Sequence, residues 1–278
     1  MSGLDVPLLR RYMGDVRSLL PGGAAGIMQL MYPPLGEAVA EQSDFFDDPF
    51  ARVYRSVPQI WATVLDTSPD GANRARTIRD LHKKIRGVGA SGRRYSALEP
   101  ETFWWAHATF TWEVFRSIEL FHAGGLTRVD THRLYRDTVR WYEAYGVSMR
   151  PVPADLAAFR RKFDGIVATT LERTPAAERT LEMALAGRWR LPLVDVDVHD
   201  PVLRRVGRLG ALGCLPSSVR AKFALAWSRT DDRVFRTGAA TMRLGLGAVP
   251  LRLNHVMTRL QMRSLGSRTR PERYDPAA

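Results

Sequence analysis

The residues from Glu99 to Gly124, EPETFWWAHATFTWEVFRSIELFHAG, are the most strongly patterned segment of the chain and constrain its fold most. Pro100 suits the first turn of a helix, where its missing N–H is not needed, and Gly124 suits the position just after a helix ends. Between them, apolar side chains recur at helical spacing and form one wide stripe: Phe103, Trp104, Phe110, Val114, Ile118 and Phe121. The segment therefore predicts one long helix with a face directed into the core.

A histidine, His107, lies within this apolar stripe rather than at its polar edge. A buried imidazole needs partners for both ring nitrogens, because an unpaired buried polar group costs about 1–3 kcal/mol. The residues alone leave two interpretations open. His107 is either a core histidine that hydrogen-bonds a backbone carbonyl or a side chain, which is the commoner case, or it binds a metal.

The composition is that of an ordinary globular protein. The chain has 278 residues, of which 45% are hydrophobic and 25% are charged, enough for one large core or two modest ones. Its single cysteine, Cys214, excludes an internal disulfide and any multi-cysteine metal site, and it favours a reducing compartment. No apolar run approaches the length that spans a bilayer, so we expect a cytoplasmic protein that is soluble or peripheral to a membrane.

The positive charge is concentrated at one end of the chain. The net charge is +12, and residues 201–278 carry 14 arginines and Lys222 against only four carboxylates, so the first 200 residues are nearly neutral. An arginine-rich last quarter is compatible with an anionic membrane surface, an acidic partner or nucleic acid, and equally with an ordinary solvated face. No basic helix with turn-helix spacing or interleaved aromatics is found there, so we expect no nucleic acid partner.

A second histidine is predicted to face the core from the preceding helix. Its inward stripe consists of Ile78, Leu81, His82 and Ile85, with Arg79 beside it. The linker at residues 87–92 matches the letters G-x-G-x-x-G, but it follows a helix and no strand, so we reject a dinucleotide site. We expect the linker to let the chain reverse between the two histidine-bearing helices.

Most of the remaining chain also shows helical spacing, interrupted by proline and glycine. We find no internal repeat, no heptad pattern and no convincing strand pair. The sequence therefore predicts an all-α bundle, with about ten helices.

Five fragments carry a further signal through their order. They are QLMYPPLGEAVAEQSDFFDDPFARVYRS at 29–56, RTIRDLHKKIRG at 76–87, YSALEPETFWWAHAT at 95–109, DTHRLYRDTVRWYEAYG at 130–146 and CLPSSVRAKFALAW at 214–227. Together they resemble the catalytic-domain family of the rubber oxygenase (latex-clearing protein) and the MpaB-type oxygenases. The resemblance covers about residues 20–230.

This resemblance implies a single globin-like helical fold that holds a b-type haem and uses dioxygen on an unsaturated hydrocarbon, terpenoid or lipid-like substrate. The family's proximal iron ligand is a histidine on the core helix, and the matching motif WWAHAT makes His107 the implied metal ligand. Arg79 and His82 match residues of the family's distal face and are the implied catalytic residues, with Arg79 also in contact with the haem. On the His107 helix, we expect Phe103, Trp104 and Thr111 to complete the haem contacts.

Two further expectations follow from the resemblance. His82 stands where rubber-cleaving members are expected to have lysine followed by threonine, so polyisoprene is not favoured as the substrate. Residues 1–230 are expected to form the haem-binding domain. Residues 231–278 are expected to form an Arg-rich helical extension packed on the same domain.

Two other functions remain compatible with the sequence. One is a non-enzymatic helical protein that binds an anionic surface or a partner through the Arg-rich end, with His107 merely packed in the core. The other is a family member that keeps the fold and has lost haem. A visible absorption spectrum separates both from a haem enzyme.

The C-terminal segment from Pro250 is predicted to be an amphipathic helix. Its apolar side chains are Leu253, Val256, Met257, Leu260 and Met262, with Arg252, Arg259 and Arg263 at the margins. This composition is typical of a helix on a membrane surface, but most amphipathic helices of globular proteins pack their apolar face on the core. Both interpretations are open from the sequence.

Overall fold

A computed structural model of the chain describes residues 4–42, 45–46, 49–186, 190–191, 194–195 and 201–267. Most of these residues are helical, and the prediction of an all-α protein is confirmed. None of the helices in these ranges is both long enough and apolar enough to cross a membrane.

Thirteen α-helices and one 3₁₀ helix follow one another in the described residues. The α-helices are α1 (Pro7–Met13), α2 (Gly22–Leu30), α3 (Pro33–Gln42), α4 (Pro49–Leu65), α5 (Pro69–His82), α6 (Pro100–Phe121), α7 (Arg128–Ala144), α8 (Leu156–Thr169), α9 (Pro175–Leu185), α10 (Pro201–Cys214), α11 (Ser217–Lys222), α12 (Arg229–Gly247) and α13 (Leu251–Ser267); the 3₁₀ helix is Val16–Leu19. The number exceeds the predicted ten or so because prolines divide the chain into short elements, as at Pro21 and Pro33.

Two small antiparallel hairpins interrupt the helices. Strand β1 (Arg86–Val88) pairs with β2 (Arg94–Ser96), and β3 (Arg190–Leu191) pairs with β4 (Val194–Asp195). The prediction of no strand pair is therefore wrong. Strands of two or three residues are too short to show a period-two pattern in the sequence. The first hairpin joins α5 to α6, and Gly92 turns it with a φ of +79°.

Helix α6 lies at the centre of the molecule. Of its 22 residues, 13 are buried, and it packs against α2, α7, α12 and the 3₁₀ helix. The indole of Trp105 stacks on Phe163 of α8 at 4.9 Å between ring centroids, and its Nε1 donates to the carbonyl oxygen of Met28 at 3.1 Å. The sequence predicts a single inward stripe for this helix, whereas the structure buries it on several sides.

The last two helices pack on the rest of the bundle. Helix α12 contacts α6 and α10, and α13 contacts α4 and the 3₁₀ helix. Among the α13 side chains that the structure describes, those of Asn254, Thr258 and Met262 are buried. Four of the five predicted apolar side chains of this helix are exposed, namely those of Leu253, Val256, Met257 and Leu260. The interpretation in which these side chains pack on the core is therefore wrong for these four and holds for Met262.

Candidate functional site

His107 lies in the middle of α6, enclosed by the aromatic side chains of α7. Its side chain is 7% exposed. The imidazole centroid lies 4.6 Å from the ring centroid of Trp141, 5.0 Å from that of Tyr142 and 6.1 Å from that of Tyr145, all in edge-on orientations. The prediction that this histidine is directed into an aromatic core is confirmed.

One nitrogen of the His107 ring is hydrogen-bonded and the other is not. Nε2 lies 3.0 Å from the carbonyl oxygen of Thr138. A carbonyl only accepts, so Nε2 carries the proton and Nδ1 carries a lone pair. Nδ1 is buried and has no hydrogen-bond partner. Burial lowers the pKa of the imidazole to about 3, against the opposing effect of the Thr138 carbonyl, so the ring is neutral at physiological pH.

His82, at the end of α5, reaches the same aromatic cluster from another helix. Its Nδ1 donates to the carbonyl oxygen of Ile78 at 2.6 Å, and its ring meets Phe103 edge-on at 5.9 Å between centroids. Phe103 in turn contacts Tyr142 at 6.0 Å and Tyr145 at 5.3 Å, which are also ring neighbours of His107. Phe103 and the two tyrosines therefore connect the two predicted site histidines.

Arg79 lies beside this cluster but its guanidinium is bound elsewhere. Nε and Nη2 donate to Asp80 Oδ1 at 2.9 and 2.8 Å, and Nη1 lies 3.4 Å from the carbonyl oxygen of Gly146. Leu81, predicted to face inward with His82, is 56% exposed. Helix α5 packs on α4 and α7 through the side that carries Ala75, Ile78 and His82, and Leu81 lies off that side.

The other two predicted haem contacts lie in different places. Thr111 is buried one turn after His107, on the same side of α6. Trp104 is buried against α8, where its ring contacts Phe159 at 6.1 Å and lies 4.0 Å from Nζ of Lys162. The structure thus brings His107, Phe103 and His82 to one cluster, places Arg79 and Thr111 near it, and directs Trp104 to a separate contact.

Residues 10–244 of the chain match the family described as ER-bound oxygenase mpaB/B′/rubber oxygenase, catalytic domain. The chain belongs to this family. This confirms the resemblance inferred from the ordered fragments, and the family is one of oxygenase catalytic domains. A search of curated proteins and a search of solved structures each found no match.

The His107 site suits a haem-iron ligand in its donor chemistry. Iron in haem proteins is commonly held by one neutral imidazole, and the buried Nδ1 of His107 is such a donor, without a competing partner. The other ring nitrogen is fixed by a backbone carbonyl, as is usual for histidines that bind metals. The aromatic side chains around the imidazole are an apolar lining of the kind a porphyrin needs. They also pack tightly on it, so a porphyrin would replace some of these ring contacts.

Other potential sites lie apart from His107. Within the described residues, no group of three or more His, Cys, Asp and Glu side chains could hold a metal ion. Two open clefts, of about 650 and 450 Å³, are lined by residues outside the His107 cluster. The larger is lined by Trp227 and residues of α12, and the smaller by Leu4, Asp5 and residues of α5 and α7.

Helix α7 supplies functional neighbours that the sequence prediction did not single out. Thr138, Trp141, Tyr142 and Tyr145 all contact His107, three of them through their rings and Thr138 through its carbonyl oxygen. The available signal was their spacing, since positions separated by three, four and seven residues share one face of a helix. The prediction treated this segment as a helix and as a family fragment, and it did not assign a face of that helix to His107.

Buried titratable side chains also occur outside the His107 cluster. Glu113, two turns along α6, is 2% exposed, and burial raises the pKa of its carboxyl well above the usual range. Burial likewise raises the pKa of the Cys214 thiol to about 12, so this cysteine stays protonated. At the end of α6, burial and the Arg17 guanidinium lower the pKa of His122 to about 4. The sequence pattern gave no sign that Glu113 is buried.

Proposed function

We propose that the protein is a haem b-dependent oxygenase that uses dioxygen on an unsaturated hydrocarbon, terpenoid or lipid-like substrate. Membership of an oxygenase catalytic-domain family supports the oxygenase activity. The observation that carries the haem assignment is the Nδ1 atom of His107, a buried imidazole nitrogen with a free lone pair, because an unpaired buried polar atom is costly unless a ligand satisfies it.

In this proposal His107 would hold the haem iron through Nδ1. The bound haem supplies the activation of dioxygen, which the protein's own side chains cannot perform. The chain's part is to keep His107 neutral, to fix its tautomer through the Thr138 carbonyl and to exclude water with the rings of α7. Exclusion of water suits an apolar substrate, because the transfer of apolar surface out of water is favourable.

We assign Arg79 and His82 the role of binding and orienting dioxygen. His82 rests on Phe103, so it is already at the edge of the ring cluster. Arg79 is held by Asp80, an exposed carboxylate, and an ion pair in contact with water is weak. The Arg79 guanidinium would therefore be able to exchange Asp80 for a haem propionate, whose carboxylate matches its bidentate donor geometry.

A second candidate function is a family member that keeps this fold without haem. The close ring packing around His107 supports it, because three aromatic side chains contact the imidazole directly. In that case His107 is a packed core residue and its Thr138 hydrogen bond is its whole role.

The haem content of the purified protein tests the proposal. The protein is expressed with a haem precursor in the medium, and its Soret absorbance and pyridine haemochrome are measured for wild type, His107→Ala and His132→Ala. His132 is an exposed histidine on α7 and serves as the matched control. We expect about one haem per chain in wild type and in the control, and none in His107→Ala, with helical circular dichroism unchanged. A wild-type protein without Soret absorbance supports the haem-free function instead.

We also propose a cytoplasmic location, peripheral to a membrane surface. The single cysteine, buried and protonated, is consistent with a reducing compartment.

A further inference from the structure

Helix α13 presents its apolar side chains to solvent and its small polar side chains to the protein. Asn254 and Thr258 are fully buried, whereas Leu253, Val256, Met257 and Leu260 are exposed. A step of two residues along a helix is a rotation of about 200°. Val256 and Leu260, each two residues from Thr258, therefore lie on the side of the helix that faces away from the bundle. This orientation is the reverse of the usual amphipathic helix.

Hydrogen bonds hold α13 in this orientation. Nδ2 of Asn254 donates to the carbonyl oxygens of Leu246 and Val249 at 3.3 Å each, at the end of α12. The last carbonyl groups of a helix need such partners, so Asn254 acts as a cap for the preceding helix. At the next residue, the Nε2 of His255 lies 3.1 Å from the carbonyl oxygen of Arg11. Turning the helix to bury its leucines would break these bonds and leave Asn254 without its partners.

The sequence on either side of the exposed apolar side chains carries only positive charges. Residues 233–271 contain eight arginines and no aspartate or glutamate. On α13 three of them are exposed along one edge of the apolar strip: Arg252, Arg259 and Arg263. Near the end of α12, Leu244 adds a further leucine that is 74% exposed.

We propose that this exposed side of α13, here called the α13 face and made of Leu253, Val256, Met257, Leu260, Arg252, Arg259 and Arg263, docks on an anionic lipid surface. A basic amphipathic helix lies in the plane of a membrane interface, with its apolar side chains among the acyl chains and its cations at the headgroups. The positive charge of the α13 face favours a lipid surface over a second copy of the chain as its binding partner. A second copy would set these arginines against identical arginines, whereas anionic headgroups neutralise them.

The α13 face does not depend on the haem proposal. Its residues lie outside the His107 cluster, and its argument rests on exposure and charge alone. If the haem proposal also holds, the face places the oxygenase where a water-insoluble substrate is found.

Sedimentation with lipid vesicles tests the proposal on the full-length protein. Vesicles are made of phosphatidylcholine alone or of phosphatidylcholine mixed with phosphatidylglycerol. We expect binding to the mixed vesicles, weak or no binding to the neutral ones, and loss of binding as salt rises, because exposed charges are screened. Equal binding to both kinds of vesicle, or no binding to either, would overturn the proposal.

Two variants separate the contributions of charge and apolar contact. Arg252→Gln/Arg259→Gln/Arg263→Gln removes the cations of the face and should weaken binding on the order of 100-fold, since each interfacial arginine is worth about five-fold. Leu253→Gln/Leu260→Gln should weaken it by roughly ten-fold per leucine. All three variants, including the control below, are checked for unchanged circular dichroism and thermal unfolding, so that loss of binding is not loss of fold.

The control carries the same change of net charge elsewhere. Arg136→Gln/Arg160→Gln/Arg161→Gln alters three exposed arginines of α7 and α8 and should bind the mixed vesicles like wild type. A control that loses binding as much as the α13 variant would show that total charge matters and the face does not. A wild-type dimer that Leu253→Gln/Leu260→Gln converts to monomer, in the absence of lipid binding, would show that a second copy covers the face. Capture by an acidic protein without vesicle binding would likewise replace lipid as the occupant.

Discussion

The Nε2 atom of His107 donates a hydrogen bond to the backbone carbonyl oxygen of Thr138, which joins the centre of α6 to α7 over 3.0 Å. The bond fixes the tautomer of a neutral imidazole and leaves Nδ1 as a buried lone pair. Because a backbone oxygen makes this bond, the identity of the side chain at position 138 does not determine it. The arrangement of α6 against α7 alone is enough to present the nitrogen.

The pH dependence of stability should reveal the neutral His107. Burial lowers its pKa to about 3 in the folded protein, while in the unfolded chain the imidazole takes up a proton near its ordinary pKa of about 6.5. Between these values the unfolded state binds more protons, so the haem-free protein should lose stability as the pH falls, by up to about 1.4 kcal/mol per pH unit. Urea unfolding between about pH 7 and pH 5 measures this slope.

The matched variants for that measurement are His107→Gln and His132→Gln. The first should flatten the acid slope, and the second, at an exposed position, should leave it unchanged. His122 contributes a slope of the same sign, because its pKa is lowered to about 4. Its portion should persist in His107→Gln. Identical slopes in wild type and His107→Gln would contradict a buried neutral imidazole at this position.

Arg79 and His82 should affect oxygen chemistry without affecting haem retention. In the haem-loaded protein, Arg79→Gln and His82→Ala should keep the Soret absorbance and lower dioxygen affinity or turnover, roughly 10-fold or more for a lost charged hydrogen bond. Arg76→Gln, an exposed arginine on the same helix, is the control. If haem is lost in either site variant, the residue is a ligand or a structural contact rather than a distal group.

Glu113→Gln should stabilise the protein, and more so at alkaline pH. Burial raises the pKa of Glu113 in the folded state, so the folded protein holds a proton that the unfolded chain releases above about pH 4.5. The wild type therefore loses stability as the pH rises above that value, and a neutral amide of the same shape does not. The gain from the substitution should increase between pH 5 and pH 8 in urea unfolding. The exposed Glu119→Gln on the same helix should show no such increase.

The sequence predicted the helix that carries His107 but not the residues of α7 that surround the imidazole. The helix that carries His107 could be predicted from one segment, because that segment contains a histidine within a run of aromatic residues at helical spacing. The neighbours on α7 could not be assigned in the same way. Contact between Tyr142 or Tyr145 and His107 depends on how two helices pack, and periodicity within each helix does not specify that packing.

The fold class was predictable for the same reason, and the orientation of α13 was not. Helical periodicity, prolines and glycines are local signals, so they predicted an all-α chain correctly. The apolar pattern of α13 pointed to a core-facing leucine side. The structure instead buries Asn254, because that side chain supplies hydrogen bonds to the end of α12. The orientation of α13 therefore depends on the hydrogen bonds that the end of α12 needs, and the sequence pattern of α13 does not contain that information.

The contact between Gly213 of α10 and Phe235 of α12 should be sensitive to a single methyl group. A Cβ atom at Gly213 would lie far inside van der Waals contact with Cδ2 and Cγ of Phe235. Phe235 and Ala239 are the two buried residues of α12, and the Phe235 ring also contacts Trp227 edge-on at 6.2 Å between centroids, so the ring is held in place against the new methyl group. Gly213→Ala should therefore lower the free energy of unfolding by about 1–3 kcal/mol through overpacking.

Gly210 on the same helix is the matched control for that substitution. A Cβ atom there meets nothing within 4 Å, so Gly210→Ala should stabilise the protein by roughly 0.5–1 kcal/mol, the usual gain of alanine over glycine within a helix. The double variant Gly213→Ala/Phe235→Leu should recover part of the loss, because the smaller side chain leaves room for the methyl group. Urea unfolding of the four proteins measures these differences. If Gly213→Ala is as stable as Gly210→Ala, the α10 and α12 helices do not pack through this glycine.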